Sequence, residues 1–198
     1  MEMLEPSKIN KLNNFIAGWY IDKKVCDDLI NYFESNPNKR PGKLFWKGKS
    51  KVIPDKKLST DLSISLQNID LEIINYSKEL NKVCGLYKQI YEYCNKNQGA
   101  WGVTTSWLIQ RYKPNEGYFT PHYERNDGSS IRRHLVFMTY LNDVTDGGET
   151  EFLHQKFKIK PEKGLSIIWP ADWTFTHKGV VSPTQTKYIA TGWYEYKG

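Results

Sequence analysis

Apolar residues recur along this chain with two periods, and the change between them falls near residue 100. In the first half the spacing is helical. Asp22 precedes Val25, Cys26, Leu29, Ile30 and Phe33, a one-face pattern that predicts a capped helix. Ile73, Ile74, Leu80, Val83, Cys84, Tyr87, Ile90, Tyr91 and Cys94, mostly three or four apart, predict a longer helix from about Ile69 to Cys94, ended by Asn97, Gln98 and Gly99. Between the helices, Arg40–Ser59 holds Pro41, Gly42, Gly48 and Pro54 and shows no period, which reads as an irregular basic loop.

From Trp101 onward, short β-branched and aromatic runs alternate with turn residues. They predict strands at Val103–Tyr112, Tyr118–Glu124, Arg133–Leu141, Thr150–Leu153, Phe157–Ile159, Leu165–Trp169, His177–Val181 and Lys187–Tyr196. Pro114–Gly117, Asn126–Gly128, Asp146–Gly148 and Pro161–Gly164 supply turns between them. Strands so short and so evenly spaced predict a double-sheet jelly roll or a barrel. The helices do not alternate with strands, which argues against a parallel βαβ fold, and they are expected to pack on one face of the β half. The fold class expected is α+β, mainly β in the C-terminal half.

Composition narrows the class of molecule. The 198 residues suit one domain, with 1–100 as a helical support region and 101–198 as the jelly-roll core. Seven Trp, 13 Tyr and 8 Phe supply core-forming bulk and argue against disorder. No apolar run approaches a membrane span and the N-terminus has no signal-peptide pattern, so the expectation is a cytoplasmic protein without membrane contact. Cys26, Cys84 and Cys94 show no zinc spacing and are expected to be buried thiols in a reducing compartment. The net charge of +6 is mild. The lysines from 39 to 57 would suit nucleic acid or an acidic peptide, but a solvated loop is the plainer reading.

Four histidines occur, His122, His134, His154 and His177. His122 and Glu124 flank Tyr123 at a strand end, where residues i and i+2 point to one face. His177, at the start of a later strand, is the candidate third ligand. Two histidines and one carboxylate on one face of a metal are the facial triad of non-haem Fe(II) oxygenases, with open positions for a co-substrate and O₂. His-x-Glu alone is a weak pattern. Lys187 opens a strand-like run, and a lysine entering an apolar barrel mouth needs an anion. Lys187, Ile189, Thr191 and Trp193 would share one strand face. His134 and His154 have no matched role and read as structural or exposed. Arg132 and Arg133 stand at a strand end, where Arg133 could face an acidic group of a substrate.

Four segments then carry a resemblance: RYKPNEGYFTPHYE, RRHLVFMTYLNDVTDGGETEF, KPEKGLSIIW and HKGVVSPTQTKYIATGWYEY. In order and spacing they resemble the prolyl 4-hydroxylase-like branch of the Fe(II)/2-oxoglutarate dioxygenases, over about residues 107–196. The resemblance implies a double-stranded β-helix supported by the N-terminal helices. It implies Fe(II) held by His122, Glu124 and His177, with 2-oxoglutarate and O₂ as co-substrates and ascorbate as the reductant that rescues over-oxidised iron. Lys187 would match the cation that pairs with the distal carboxylate of 2-oxoglutarate. Tyr140 and Tyr112 would match tyrosines against the co-substrate, and Trp193 an aromatic near the substrate mouth. The implied activity is an oxidoreductase that hydroxylates a peptide or protein, at proline, with release of succinate and CO₂.

One departure stands out. The family usually has Asp where this chain has Glu124, and the extra methylene moves the carboxylate by about 1.5 Å. Asp127 is a poorer substitute, because its spacing from His122 is wrong for one strand face. Two rival readings remain. One is a nucleobase-demethylating dioxygenase, although such enzymes usually carry arginine where Lys187 stands. The other is a non-catalytic jelly-roll binding module with a vestigial metal site.

Overall fold

A strand with apolar residues at both parities must be covered on both faces, and Arg133–Tyr140 (RHLVFMTY) is such a strand. The computed structural model, which describes residues 4–46, 49–96, 99–126 and 128–197, provides the two covers. Its principal elements are β1 (Ala17–Tyr20), α1 (Lys23–Ser35), β2 (Thr60–Ile64), α2 (Leu71–Ile90) and β3 (Trp107–Tyr112). They continue with β4 (Arg133–Tyr140), β5 (Thr150–Phe152), β6 (Phe157–Ile159), β7 (Leu165–Pro170), β8 (His177–Gly179) and β9 (Lys187–Tyr196).

The major sheet is antiparallel, with central order β1-β7-β4-β9-β3-β2. On one side Leu135 and Phe137 join Leu62, Ile64, Trp107, Ile109 and Tyr194 under α1 and α2. On the other side Val136, Met138 and Tyr140 join Ile167, Trp169 and Ile189 against Phe152 and Ile159 of the minor sheet. That minor sheet runs β6-β5-β8, and an isolated bridge between His177 and His122 extends it. Two sheets facing each other across a core, with helices outside the larger one, are the expected jelly roll.

The helix pattern held for α1. Asp22 caps it through its side chain on Lys24 N at 2.8 Å, and Val25, Cys26, Leu29 and Phe33 are buried. The second helix stops at Ile90, short of the expected Cys94, and a 3₁₀ turn over Glu92–Cys94 follows. Of the expected stop signals, Asn97 and Gln98 lie outside the described residues. The first hundred residues also hold strands that the pattern did not reveal. Ala17–Tyr20 is too short to display a period, yet it pairs with β7. Thr60–Ile64 pairs with β3. The basic stretch is not irregular throughout, because Leu44–Trp46 and Lys49–Lys51 form a hairpin. Among the described residues, no helix is long and apolar enough to cross a membrane.

Close packing between the helix-side core and β9 yields a first test. A Cβ built on Gly192 would lie 2.6 Å from both the Phe137 ring and Trp107 Cβ, in a fully packed layer. Gly192→Ala is expected to destabilise the protein by roughly 1–3 kcal/mol, read as a lower urea midpoint with unchanged slope. A midpoint at or above that of the parent would mean the layer has room to shift.

Candidate active site

Two backbone hydrogen bonds, His122 N–H to the His177 carbonyl and His177 N–H to the His122 carbonyl, are both 2.9 Å long. They hold the two imidazoles side by side with ring centroids 4.4 Å apart. Each Nδ1 sits on a carbonyl two residues earlier, Thr120 O at 3.0 Å and Phe175 O at 2.9 Å. An Nδ1–H donating there leaves the Nε2 lone pair free as a ligand. Both Nε2 atoms lie close to Glu124 Oε1, at 3.5 Å for His122 and 3.6 Å for His177. The three ligand atoms lie within 4.8 Å of one another. The expected His122, Glu124 and His177 are therefore brought together.

The second oxygen of Glu124 is held from the other side. Its Oε2 accepts from Trp193 Nε1 at 2.9 Å and from Arg133 NH1 at 3.3 Å, and Arg133 NH1 also reaches the Glu124 carbonyl at 2.9 Å. The Arg133 guanidinium lies 3.5 Å over the Trp193 ring. Trp193 and Arg133, expected at the substrate mouth, line the cavity but are both engaged on Glu124. This tether bears on the extra methylene of glutamate: Oε2 is anchored and Oε1 is left beside the histidines.

Protonation states suit a metal. Burial opposes ionisation of Glu124, but the His122 hydrogen bond and the charges of His122, His177 and Arg133 outweigh it, holding the carboxyl well below its ordinary range. Burial, with His122 beside it, pushes His177 down to about 4 against the pull of Glu124. At neutral pH His177 is a neutral imidazole and Glu124 an ionised carboxylate, donors that fit Fe(II).

These groups line a cavity of about 350 Å³, in the range of small-molecule sites. Lys187 and Tyr112 line it too, as expected, and the Lys187 ammonium lies 5.1 Å from the Tyr112 ring centroid. Lys187 is 6% exposed, and its Nζ donates to the Gly148 carbonyl at 2.9 Å. Burial pushes its pKa down to about 8, with Glu149 acting the other way. Tyr140 is not brought to the cavity. It is fully buried, and its hydroxyl donates to Thr150 Oγ1 at 2.7 Å, so it stands one layer behind a residue that lines the space. Asp127 lies outside the described residues. His134 is satisfied structurally, with Nε2 2.8 Å from Cys94 O and Nδ1 3.1 Å from Tyr196 OH, and His154 is exposed against Trp173.

Several lining residues went unnoticed in the sequence. Tyr118 stacks on His122 with centroids 3.6 Å apart and planes 9° from parallel. Its place four residues before His122 in GYFTPHYE was the available signal. Lys57 is buried, with Nζ 2.8 Å from Asp61 Oδ2. Gln110 Nε2 donates to the same oxygen at 3.0 Å, and Tyr112 OH donates to Gln110 Oε1 at 2.8 Å. Nothing distinguished Lys57 from the lysines around it. Trp169 also lines the cavity, and its buried Nε1 has no hydrogen-bond partner among the described residues.

The buried ammonium gives a pH test. A lysine with a folded pKa of about 8 against an unfolded 10.5 binds fewer protons folded than unfolded between those values. Its contribution to stability therefore rises as pH rises through that window. Below it, the charged form disfavours folding by on the order of 3 kcal/mol. Lys187→Met should be the more stable protein at pH 7.5, and the difference should shrink toward pH 10.5, measured by urea unfolding without added ligand. A difference independent of pH would mean that the ammonium is already compensated.

Residues 107–195 match the family model described as the 2OG-Fe(II) oxygenase superfamily. Among solved structures, a viral collagen prolyl hydroxylase from Paramecium Bursaria Chlorella virus-1, as its 2OG complex, superimposes with a TM-score of 0.70 at 21% identity, covering 93% of this chain and 97% of that one. A Pseudomonas putida prolyl-4-hydroxylase gives 0.71 at 14% identity, over 96% and 97%. A Trichoplax adhaerens prolyl hydroxylase, in complex with a hypoxia inducible factor oxygen degradation domain peptide fragment, gives 0.68 at 17% identity, over 95% and 90%. These likenesses extend over the N-terminal half and establish the double-stranded β-helix fold.

Proposed function

We propose that this chain, a 2-oxoglutarate-dependent dioxygenase of the 2OG-Fe(II) oxygenase superfamily over residues 107–195, hydroxylates a prolyl residue in a peptide or protein. The observation that carries the reading is a neutral His177 and an ionised Glu124 meeting His122 in one cavity with a buried lysine that, among the described residues, has no carboxylate partner. His122, Glu124 and His177 hold Fe(II). Lys187, beside the Tyr112 ring, receives the distal carboxylate of 2-oxoglutarate, and Tyr140 steadies Thr150 from behind. When bound, Fe(II) and 2-oxoglutarate supply oxidative decarboxylation by O₂ to succinate and CO₂, coupled to insertion of one oxygen atom into a substrate C–H bond. The chain's own residues bind, orient and exclude water. The Thr120 and Phe175 carbonyls fix the imidazole tautomers, and Trp193 and Arg133 fix Glu124. Trp169, Met138 and Ile189 make the cavity wall apolar.

The likeness to three prolyl hydroxylases, one with a peptide fragment bound, supports proline as the target. An ionised, anchored acid beside a neutral imidazole supports a working rather than a vestigial metal site. The three cysteines are free, two of them buried, which supports a reducing compartment such as the cytoplasm.

The metal assignment is tested without turnover. His177→Ala should abolish stoichiometric Mn(II) binding followed by electron paramagnetic resonance. Trp193→Phe keeps the three ligands but removes one tether on Glu124, and should weaken Mn(II) by roughly 10- to 100-fold. Parent-like affinity in His177→Ala would remove the triad. Parent-like affinity in Trp193→Phe would remove the tether's role.

The substrate is tested by adding peptides to the Fe(II) enzyme. Proline-containing peptides should stimulate succinate formation and gain one oxygen atom on proline, located by fragmentation mass spectrometry. If methylated oligonucleotides stimulate succinate formation and no proline peptide does, the peptide reading is wrong.

A further inference from the structure

The positive excess of this chain is concentrated in one segment. Eight of its 28 Lys and Arg lie between Lys39 and Lys57, with a single acid, Asp55, among them. The remainder carries 20 basic and 21 acidic residues, so without this segment the protein is close to neutral. Some of the eight have internal work. Lys39 closes the end of α1 by donating to the Phe33 and Glu34 carbonyls at 2.9 and 2.8 Å. Arg40 donates to the Lys39 carbonyl, and Lys57 is buried on Asp61.

Lys43, Lys49 and Lys51 differ. All three are exposed, at or on the hairpin of Leu44–Trp46 and Lys49–Lys51. Among the described residues none of them has an ion-pair partner. The hairpin borders the candidate active site, where Lys43, Leu44 and Ser50 line the same cavity as His122, Glu124 and Lys187. Like charges gathered on one small hairpin repel one another. On a chain otherwise near neutrality, they place a local positive field at the entrance of the cavity.

We propose that this basic hairpin docks an acidic stretch of the polypeptide substrate, adjoining the residue that enters the cavity. The proposal rests on the peptide reading above and adds to it a charge requirement. Lys49 and Lys51 stand at i and i+2 of one strand and so share a face, about 7 Å apart along it. Acidic residues at alternate positions of an extended peptide have the same spacing and can meet both. Exposed pairs of this kind are individually weak. Their effect falls mainly on encounter rate, on the choice among partners and on salt dependence.

The test uses the protein loaded with Mn(II) and 2-oxoglutarate, which binds without turning over. Three fluorescent peptides of equal length, each with one proline, are flanked by Glu, Gln or Lys. The Glu peptide should bind about tenfold more tightly than the Lys peptide at low salt, with the gap closing as salt is raised. The K49Q/K51Q variant, which leaves the cavity lining untouched, should lose the preference while keeping the parent's affinity for 2-oxoglutarate. If that variant folds poorly, the salt dependence of the parent still decides. Equal binding of the Glu and Gln peptides would overturn the proposal. So would a single-stranded oligonucleotide that displaces the Glu peptide at lower concentration than unlabelled peptide does, since the partner would then be nucleic acid. With Fe(II) and air, a Glu peptide that is preferred but never oxidised at proline would leave the docking surface standing and remove the proline reading.

Discussion

The pairing of β4 with β9 governs the rest of this molecule. Seven residue pairs fix it, among them Val136 with Trp193, Met138 with Thr191 and Tyr140 with Ile189. Side chains alternate with a strict period of two, so a slip of one residue would exchange the two faces of β9. Lys187, Ile189, Thr191 and Trp193 would then turn toward the helices, and Ala190, Gly192 and Tyr194 toward the cavity. The bulk of Phe137 and Trp107 against Gly192 forbids this, because only a residue without Cβ fits there. A packing constraint on the helix side thus holds the chemistry on the other side in register.

The metal-ligand candidates are then set by a second, local device. His122 does not belong to a regular strand. It is drawn to His177 by the reciprocal backbone bridge, which together with the Nδ1 contacts to the Thr120 and Phe175 carbonyls sets two imidazoles from distant parts of the chain side by side. Glu124 is placed by groups of the major sheet, Trp193 on β9 and Arg133 on β4. The three ligand candidates are therefore positioned by both sheets together, and rotation of one sheet against the other would separate acid from histidines. This is a reason for the tight apolar fill between the sheets, with Phe152, Trp169 and His177 in mutual ring contact.

The extent to which this was legible in the sequence follows from which physical signal each feature leaves. Strand parity is a property of sequence, so the common face of Lys187, Ile189, Thr191 and Trp193 could be read directly. So could the shared direction of His122 and Glu124, since an extended segment alternates whether or not it lies in a sheet. The helix pattern gave Val25, Cys26, Leu29 and Phe33 for the same reason. What parity cannot reveal is the partner across the cavity. The resemblance puts Trp193 at the substrate mouth and a strand-end position offers Arg133 to a substrate acid, whereas hydrogen-bond reach to Glu124 appears only in three dimensions. Tyr140 shares the cavity-side face of β4, yet Thr150 stands between it and the space. The hairpin strand Lys49–Lys51 is exposed along its whole length, so burial imposes no alternation there and no pattern is written.

Two buried lysines in this one cavity show how function and stability separate. Lys57 has a carboxylate at 2.8 Å, and that carboxylate is itself held by Ser59 and Gln110. A pair satisfied in this way is structural, because removing either partner would strand a buried charge. Lys187 is buried to a similar degree, and among the described residues its ammonium has one hydrogen-bond acceptor, the Gly148 carbonyl. One neutral acceptor does not offset the loss of water around an ammonium, and the lowered pKa expresses the shortfall. Folding tolerates such a group only where the sheets on either side are well packed, as they are here. On the proposed function, a carboxylate entering beside Lys187 would remove that imbalance, and the desolvation that lowers the lysine pKa would become affinity for the anion.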